Sequence, residues 1–149
     1  MKTRNIFLIL LFPFIASMTG RHYPDSLNGN WTLVCYSDLI SRLTDCKSQN
    51  EQSLPISLVF LDDGKTGTIN GHTSRNDVTG SYMLLDNHKI KVDKFGGTMV
   101  GEMTDWGDKI WTTIQQSSSY KYKSDTLVIQ YDNDSKAMKF VKTEYKQKK

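Results

Sequence analysis

This 149-residue chain has little with which to make or break a covalent bond. Its histidines, His22, His72 and His88, are scattered, and none stands in H-E-x-x-H or another zinc spacing. The two cysteines form no C-x-x-C, and there is no G-x-S-x-G elbow, which removes the commonest redox and nucleophile arrangements. Gly96-Gly97 lacks the lysine and helix start that a phosphate-cradling loop needs. Asp62-Asp63 and Asp132/Asp134 stand in turn-like stretches, where aspartate is common without catalysis. His72, Ser74 and Asp77 share one polar stretch, but a triad needs a base held by a rigid frame, which three neighbours on one loop rarely supply. No catalytic residue, metal or cofactor is expected, so the chain reads as not an enzyme.

Long apolar runs are also missing. Ile6–Ile15 is about ten residues, too short for a bilayer core of roughly 30 Å. With Lys2 and Arg4 before it and the mostly small Ala16–Gly20 after it, it reads as a secretory signal over residues 1–20. Pro13 argues against a buried helix there. No cysteine ends the run, so the product is expected untethered, periplasmic or secreted, with residues 21–149 as one domain. Cys35 and Cys46 both lie in the exported part and read as a disulfide, worth about 2–3 kcal/mol by loop entropy; the alternative is two buried free thiols.

Charge of one sign is scarce as well. Loss of Lys2 and Arg4 lowers the net charge from +3 to about +1. Lys139, Lys142, Lys146, Lys148 and Lys149 gather at the C-terminus, yet no basic face with aromatic platforms accompanies them. Nucleic acid is therefore not an expected partner.

What is present is alternation. Trp31, Leu33 and Cys35 alternate with Thr32, Val34 and Tyr36 after Gly29-Asn30. Asp38 can cap one helical turn over Leu39, Ile40 and Leu43, and Lys47–Leu54 reads as a surface loop. Strands follow at Ile56–Leu61, Thr66–Asn70, Val78–Leu85 and Lys89–Asp93, with a turn at Asp62–Lys65, a polar segment Gly71–Asp77 and a bend at Gly96-Gly97. Met103, Trp106, Ile110 and Ile114 mark a helix capped by Thr104 or Asp105 and ended by Ser117–Ser119. Tyr120–Lys123, Thr126–Tyr131 and Ala137–Thr143 are the last strands. The fold expected is mainly β (α+β): a small antiparallel, partly open β-barrel of about eight strands with one amphipathic helix.

The order of particular residues carries a resemblance. Gly29, Trp31 and Leu33 match G-x-W-x-L; Phe60 and Gly64 match F-x-x-x-G; Gly71 follows; Asn76, Gly80 and Tyr82 match N-x-x-x-G-x-Y. Thr98 and Met99, the helix, Tyr120, Leu127 with Ile129, and Phe140 come in sequence. Nearly all of the exported part thus resembles the META domain family, which includes the HslJ-like bacterial heat-shock proteins. Arg75 and Val100-Gly101 stand where many members carry cysteines, so no role of those cysteines transfers. The G-x-W start also resembles lipocalins, but a helix followed by three more strands is the wrong order for one. Gly29, Trp31, Gly71, Asn76, Gly80, Tyr82 and Thr98 read as structural. Asn76 suits a left-handed or capping position, Gly80 a bend or close strand approach, and Trp31 and Tyr82 the core.

The resemblance implies an exported, non-catalytic monomer that binds a protein partner or supports the envelope. An alternative is an inhibitor of a co-secreted protease, using the loop at 47–54 or 71–77, with Lys47, Gln49, Asn50, His72 and Arg75 as candidate contacts. A third is a carrier of a small apolar ligand, against which the bulk of Trp31, Phe60, Tyr82, Trp106 and Trp111 argues.

Overall fold

The computed structural model describes residues 26–47 and 54–144. The signal segment, Gln49 and Asn50 lie outside the described residues. Among the described residues nine antiparallel strands form a single sheet, and one helix accompanies it. The strands are β1 (Gly29–Asp38), β2 (Thr44–Cys46), β3 (Ser57–Asp62), β4 (Thr66–His72), β5 (Asp77–Leu85), β6 (Lys89–Gly97), β7 (Ser117–Lys123), β8 (Thr126–Tyr131) and β9 (Lys136–Lys142); the helix α1 spans Asp105–Thr113.

From β3 onward each strand pairs with its successor, and β9 returns to pair with β1, so the sheet is ring-like. β2 and β3 share one edge of β1: β3 pairs with Gly29–Thr32, and β2 with Cys35–Ser37. The weakest joint is β6–β7, with the single pair Lys89↔Ser119 and a bond from the Tyr120 N–H to the His88 carbonyl at 2.8 Å. Asp134 closes this joint from the β8–β9 turn, accepting from Ser118 Oγ and Ser119 Oγ, each at 2.6 Å, and from Lys89 Nζ at 2.9 Å.

Alternation makes the strands and fills the ring. In β8, Leu127, Ile129 and Tyr131 are buried while Thr126, Val128 and Gln130 are half-buried. Trp31, Phe60, Tyr82, Tyr120 and Phe140 are fully buried, and α1 and its C-cap add Ile110 and Ile114. Each such side chain contributes about 1.5–3 kcal/mol by leaving water. Trp106 and Trp111 are partly buried against this core.

Several local expectations differ from the structure. Residues 39–43 form a hairpin turn, not a helical turn. Asp38 Oδ1 accepts from the N–H groups of Ile40 (3.0 Å) and Ser41 (2.8 Å), and Arg42 sits at φ 60°. Five residues are too few to nucleate a helix that nothing else supports. In β1 the alternation breaks at a bulge between Leu33 and Cys35, so Tyr36 turns to the core beside Trp31 and Leu33. β6 runs straight through Gly96-Gly97, where Gly97 lies against the Asp77 carbonyl. Ser117–Ser119 begins β7 instead of trailing the helix, because its hydroxyls find Ile114, Gln130 and Asp134. Met103 lies outside the helix and is exposed; Thr104 is the cap, its hydroxyl accepting from the Gly107 N–H at 3.2 Å.

Candidate functional site

The polar segment between β4 and β5 turns inward. Thr73, Ser74 and Asn76 are 1%, 3% and 2% exposed, close to the values of the core itself. All three meet Glu102, in the loop before α1. Its Oε1 accepts from Thr73 Oγ1 (2.5 Å), Asn76 Nδ2 (2.6 Å) and Trp111 Nε1 (3.0 Å), and its Oε2 from Ser74 Oγ. Asn76 also bonds both backbone groups of Val100: Nδ2 donates to the carbonyl and Oδ1 accepts from the N–H, each at 2.7 Å. Thr98 Oγ1 donates to the same Oδ1 at 3.1 Å. Asn76 and Thr98, far apart in sequence, are thus brought together to tie the 98–102 loop to the 71–77 loop. Asn76 takes the capping role and is not left-handed. Burial raises the Glu102 carboxyl, but its hydrogen bonds from Ser74, Thr73, Asn76 and Trp111 outweigh that and hold it below the usual range.

Two close approaches make this knot possible. Gly71 has φ +150°, and a Cβ there would lie 2.0 Å from the Ser57 carbonyl oxygen. A Cβ at Gly107 would lie 2.9 Å from Glu102 Oε2 and 3.0 Å from Ser74 Oγ. Gly80 likewise lies against the Lys94 carbonyl, and Gly29 beside the Trp31 indole. Trp31 and Tyr82 join a second polar tie: Trp31 Nε1 donates to the Leu27 carbonyl at 2.9 Å, and Asp62 Oδ2 accepts from Leu27 N (2.8 Å) and Tyr82 Oη (2.7 Å). Burial, then the Asp62 contact, raise the Tyr82 phenol, so it stays a protonated donor.

The Ser74 hydroxyl is committed to Glu102, while His72 Nδ1 lies 3.1 Å from the Thr73 carbonyl, so the serine and histidine of the 71–77 loop do not meet. Among the described residues no three His, Cys, Asp or Glu side chains are grouped to hold a metal. Of the candidate contacts, Arg75 is exposed and donates to the Gly101 carbonyl at 3.3 Å, and Lys47 Nζ donates to the Leu54 carbonyl at 3.1 Å.

The region that faces outward is the β1–β2 hairpin. Cys35 and Cys46 are directly opposite in the pairing and disulfide-bonded, with Cα atoms 4.0 Å apart. Beyond this bond the tip exposes Leu39, Ile40 and Leu43, at 45%, 81% and 71%. Asp45 anchors the hairpin to α1, accepting from Trp106 Nε1 at 3.2 Å and Lys109 Nζ at 3.3 Å. Tyr36 packs edge-on against Trp106 with ring centroids 4.8 Å apart. A cleft remains between the hairpin and the second half of α1. The sequence reading gave this tip and Glu102 no role. A helical turn over 39–43 would have explained the apolar residues, and a single glutamate between Gly101 and Met103 carries no pattern.

Residues 26–145 match the model of the META domain family. Two solved structures are similar. An NMR structure of a protein from Burkholderia xenovorans is 21% identical with a TM-score of 0.55, over 95% of this chain and 97% of that one. A crystal structure of a DUF4847 family protein from Bacteroides vulgatus is 11% identical with a TM-score of 0.52, over 78% of this chain and 95% of that one. At these identities the likeness is one of fold. No curated protein matches the chain.

Proposed function

The chain belongs to the META domain family, and from that premise we propose that it is an exported, non-catalytic binding protein whose contact element is the disulfide-pinned β1–β2 hairpin. The observation that carries this reading is the exposure of Leu39, Ile40 and Leu43 on a short turn fixed at its base by Cys35–Cys46 and at its side by Asp45. A tip held in one shape loses little entropy on binding. Covering three aliphatic side chains that are already partly shielded supplies roughly 3–5 kcal/mol. A micromolar complex needs about 8 kcal/mol, so a polar rim has to supply the rest. Arg42, at the tip, fits a rim with an acidic partner surface.

The partner is a protein with an apolar pocket, met in the periplasm or outside the cell, where a disulfide persists. The inward-turned 71–77 loop favours the hairpin over that loop as the contact, whether the partner is an envelope protein or a co-secreted protease. Close filling of the ring by Trp31, Phe60, Tyr82, Tyr120 and Phe140 weighs against carriage of a ligand inside it. A photocrosslinking residue in place of Ile40, used in the exporting cell, is the test. One discrete adduct that disappears with Leu43→Asp and survives Arg75→Ala supports the reading. An adduct unchanged by Leu43→Asp, or a stronger one from position 75, refutes it.

A further inference from the structure

The cleft beside the hairpin has a volume of about 480 Å³, inside the range of roughly 300–1,000 Å³ usual for small-ligand sites. Tyr36, Tyr131 and Leu43 give it apolar walls. Its charges are already committed: Lys109 to Asp45 at 3.3 Å, Lys136 to Asp132 at 2.8 Å, and the Asp38 carboxylate to the N–H groups of Ile40 and Ser41.

Two polar groups are not committed. Tyr131 is only 7% exposed, yet its hydroxyl has no hydrogen-bond partner among the described residues. The Tyr131 side chain lines the cleft, and its hydroxyl keeps some contact with solvent. The side-chain amide of Gln116, in the turn after α1, is likewise without a partner among the described residues and lines the same cleft. Burial raises the Tyr131 phenol, against Lys136 and with Asp132, so it remains a neutral donor near pH 7.

We propose that this cleft binds a small, uncharged, planar molecule that presents a hydrogen-bond acceptor beside a donor, the chemical class of an aromatic lactam or amide. The charged groups beside the cleft already have partners, and a neutral ligand leaves the half-exposed Lys109–Asp45 and Lys136–Asp132 pairs in place without having to displace either. Its acceptor takes the Tyr131 hydroxyl, its donor meets the Gln116 carbonyl, and its ring lies against the aromatic walls. Leu43, otherwise 71% exposed, closes over one side. The cleft shares Leu43 with the protein contact proposed at the tip, but Ile40 is not part of it, so a change at Ile40 separates the two.

The test is an NMR titration of the whole exported chain, followed by backbone amide shifts, with 2-quinolone as the neutral probe and 2-naphthoate as the anionic one. Saturable shifts with 2-quinolone at Leu43, Thr112, Gln116 and Tyr131 are expected, with weaker binding of 2-naphthoate. Tyr131→Phe, which keeps the ring and its packing, should weaken 2-quinolone binding by about threefold to tenfold. Gln116→Ala, at an exposed position, should weaken it by a smaller factor, and Ile40→Asp should leave it unchanged. Absence of saturation, equal binding of 2-naphthoate, unchanged affinity in Tyr131→Phe, or shifts mapping away from the cleft would each overturn the proposal.

Discussion

Replacing Glu102 by alanine removes the acceptor on which four side chains converge, Thr73, Ser74, Asn76 and Trp111. Two of them keep another partner: Asn76 Nδ2 still reaches the Val100 carbonyl at 2.7 Å, and Thr73 Oγ1 the Asn76 carbonyl at 3.3 Å. The Ser74 hydroxyl, 3% exposed, loses its acceptor and keeps only the Met103 N–H donating to it at 3.5 Å, and the half-buried Trp111 indole loses the Glu102 oxygen. A hydrogen bond to a charged group contributes about 1.5–3 kcal/mol, and Trp111 can turn part of its loss over to water, so the expected cost is about 3 kcal/mol. That is a large share of the 5–15 kcal/mol typical of a domain. Glu102→Gln keeps one carbonyl oxygen in place of Oε1 and loses the charge, so about 1 kcal/mol is expected. In urea, with a slope of roughly 1.5 kcal/mol/M, the alanine variant should unfold about 2 M earlier. Tryptophan fluorescence is a suitable signal, because Trp111 bonds Glu102 directly.

The same residue fixes a pH dependence. Its folded pKa lies below the ordinary 4.5, so the unfolded chain takes up the proton first as pH falls. The stabilisation is full above the ordinary value and is lost as pH falls through the folded value. Wild type and Glu102→Gln should therefore differ at pH 7 and draw together in acid. An alanine variant within about 0.3 M of wild type, or a glutamine variant as unstable as alanine, would refute the reasoning, as would a wild-type–glutamine gap that stays constant into acid.

Reduction, or a Cys35→Ser and Cys46→Ser pair, should cost about 2–3 kcal/mol from loop entropy, read as a lower urea midpoint, with faster amide exchange over residues 39–43; an unchanged midpoint would count against it. Gly71→Ala should be among the most damaging small changes, on the order of 3 kcal/mol or loss of folding, since its Cβ would meet a backbone oxygen at 2.0 Å from a left-handed φ. Gly96→Ala, with nothing within 4 Å, should stay within about 0.5 kcal/mol in the same urea titration.

Much of the fold was legible in the sequence because its signals are local. Period-two alternation in β3, β5 and β8 fixes which side chains face inward, and the 106–110–114 stripe fixes the helix. The turns also announce themselves, as Asn87, Asp132 and Asn133 take the positive φ that asparagine and aspartate tolerate. Signals failed where a distant partner decides the outcome. Ser117 and Ser119 look like the end of a helix until the Ile114 carbonyl and Asp134 accept from them. Leu39, Ile40 and Leu43 look like the buried stripe of a turn until the hairpin carries them into solvent.

What the sequence determined by itself was the class of the protein: a family pattern spread along most of the chain and an even cysteine pair that reads as a disulfide. Only the tertiary structure decided where its polar residues are spent. Asn76, Thr98, Glu102 and Trp111 have no periodic relation to one another, yet ring closure and the docking of α1 bring them within hydrogen-bond range. The cleft between hairpin and helix arises in the same way, because its walls come from β1, β2, α1, β8 and β9. Side-chain period is written in neighbouring residues; convergence of residues far apart in the chain exists only after the sheet has closed.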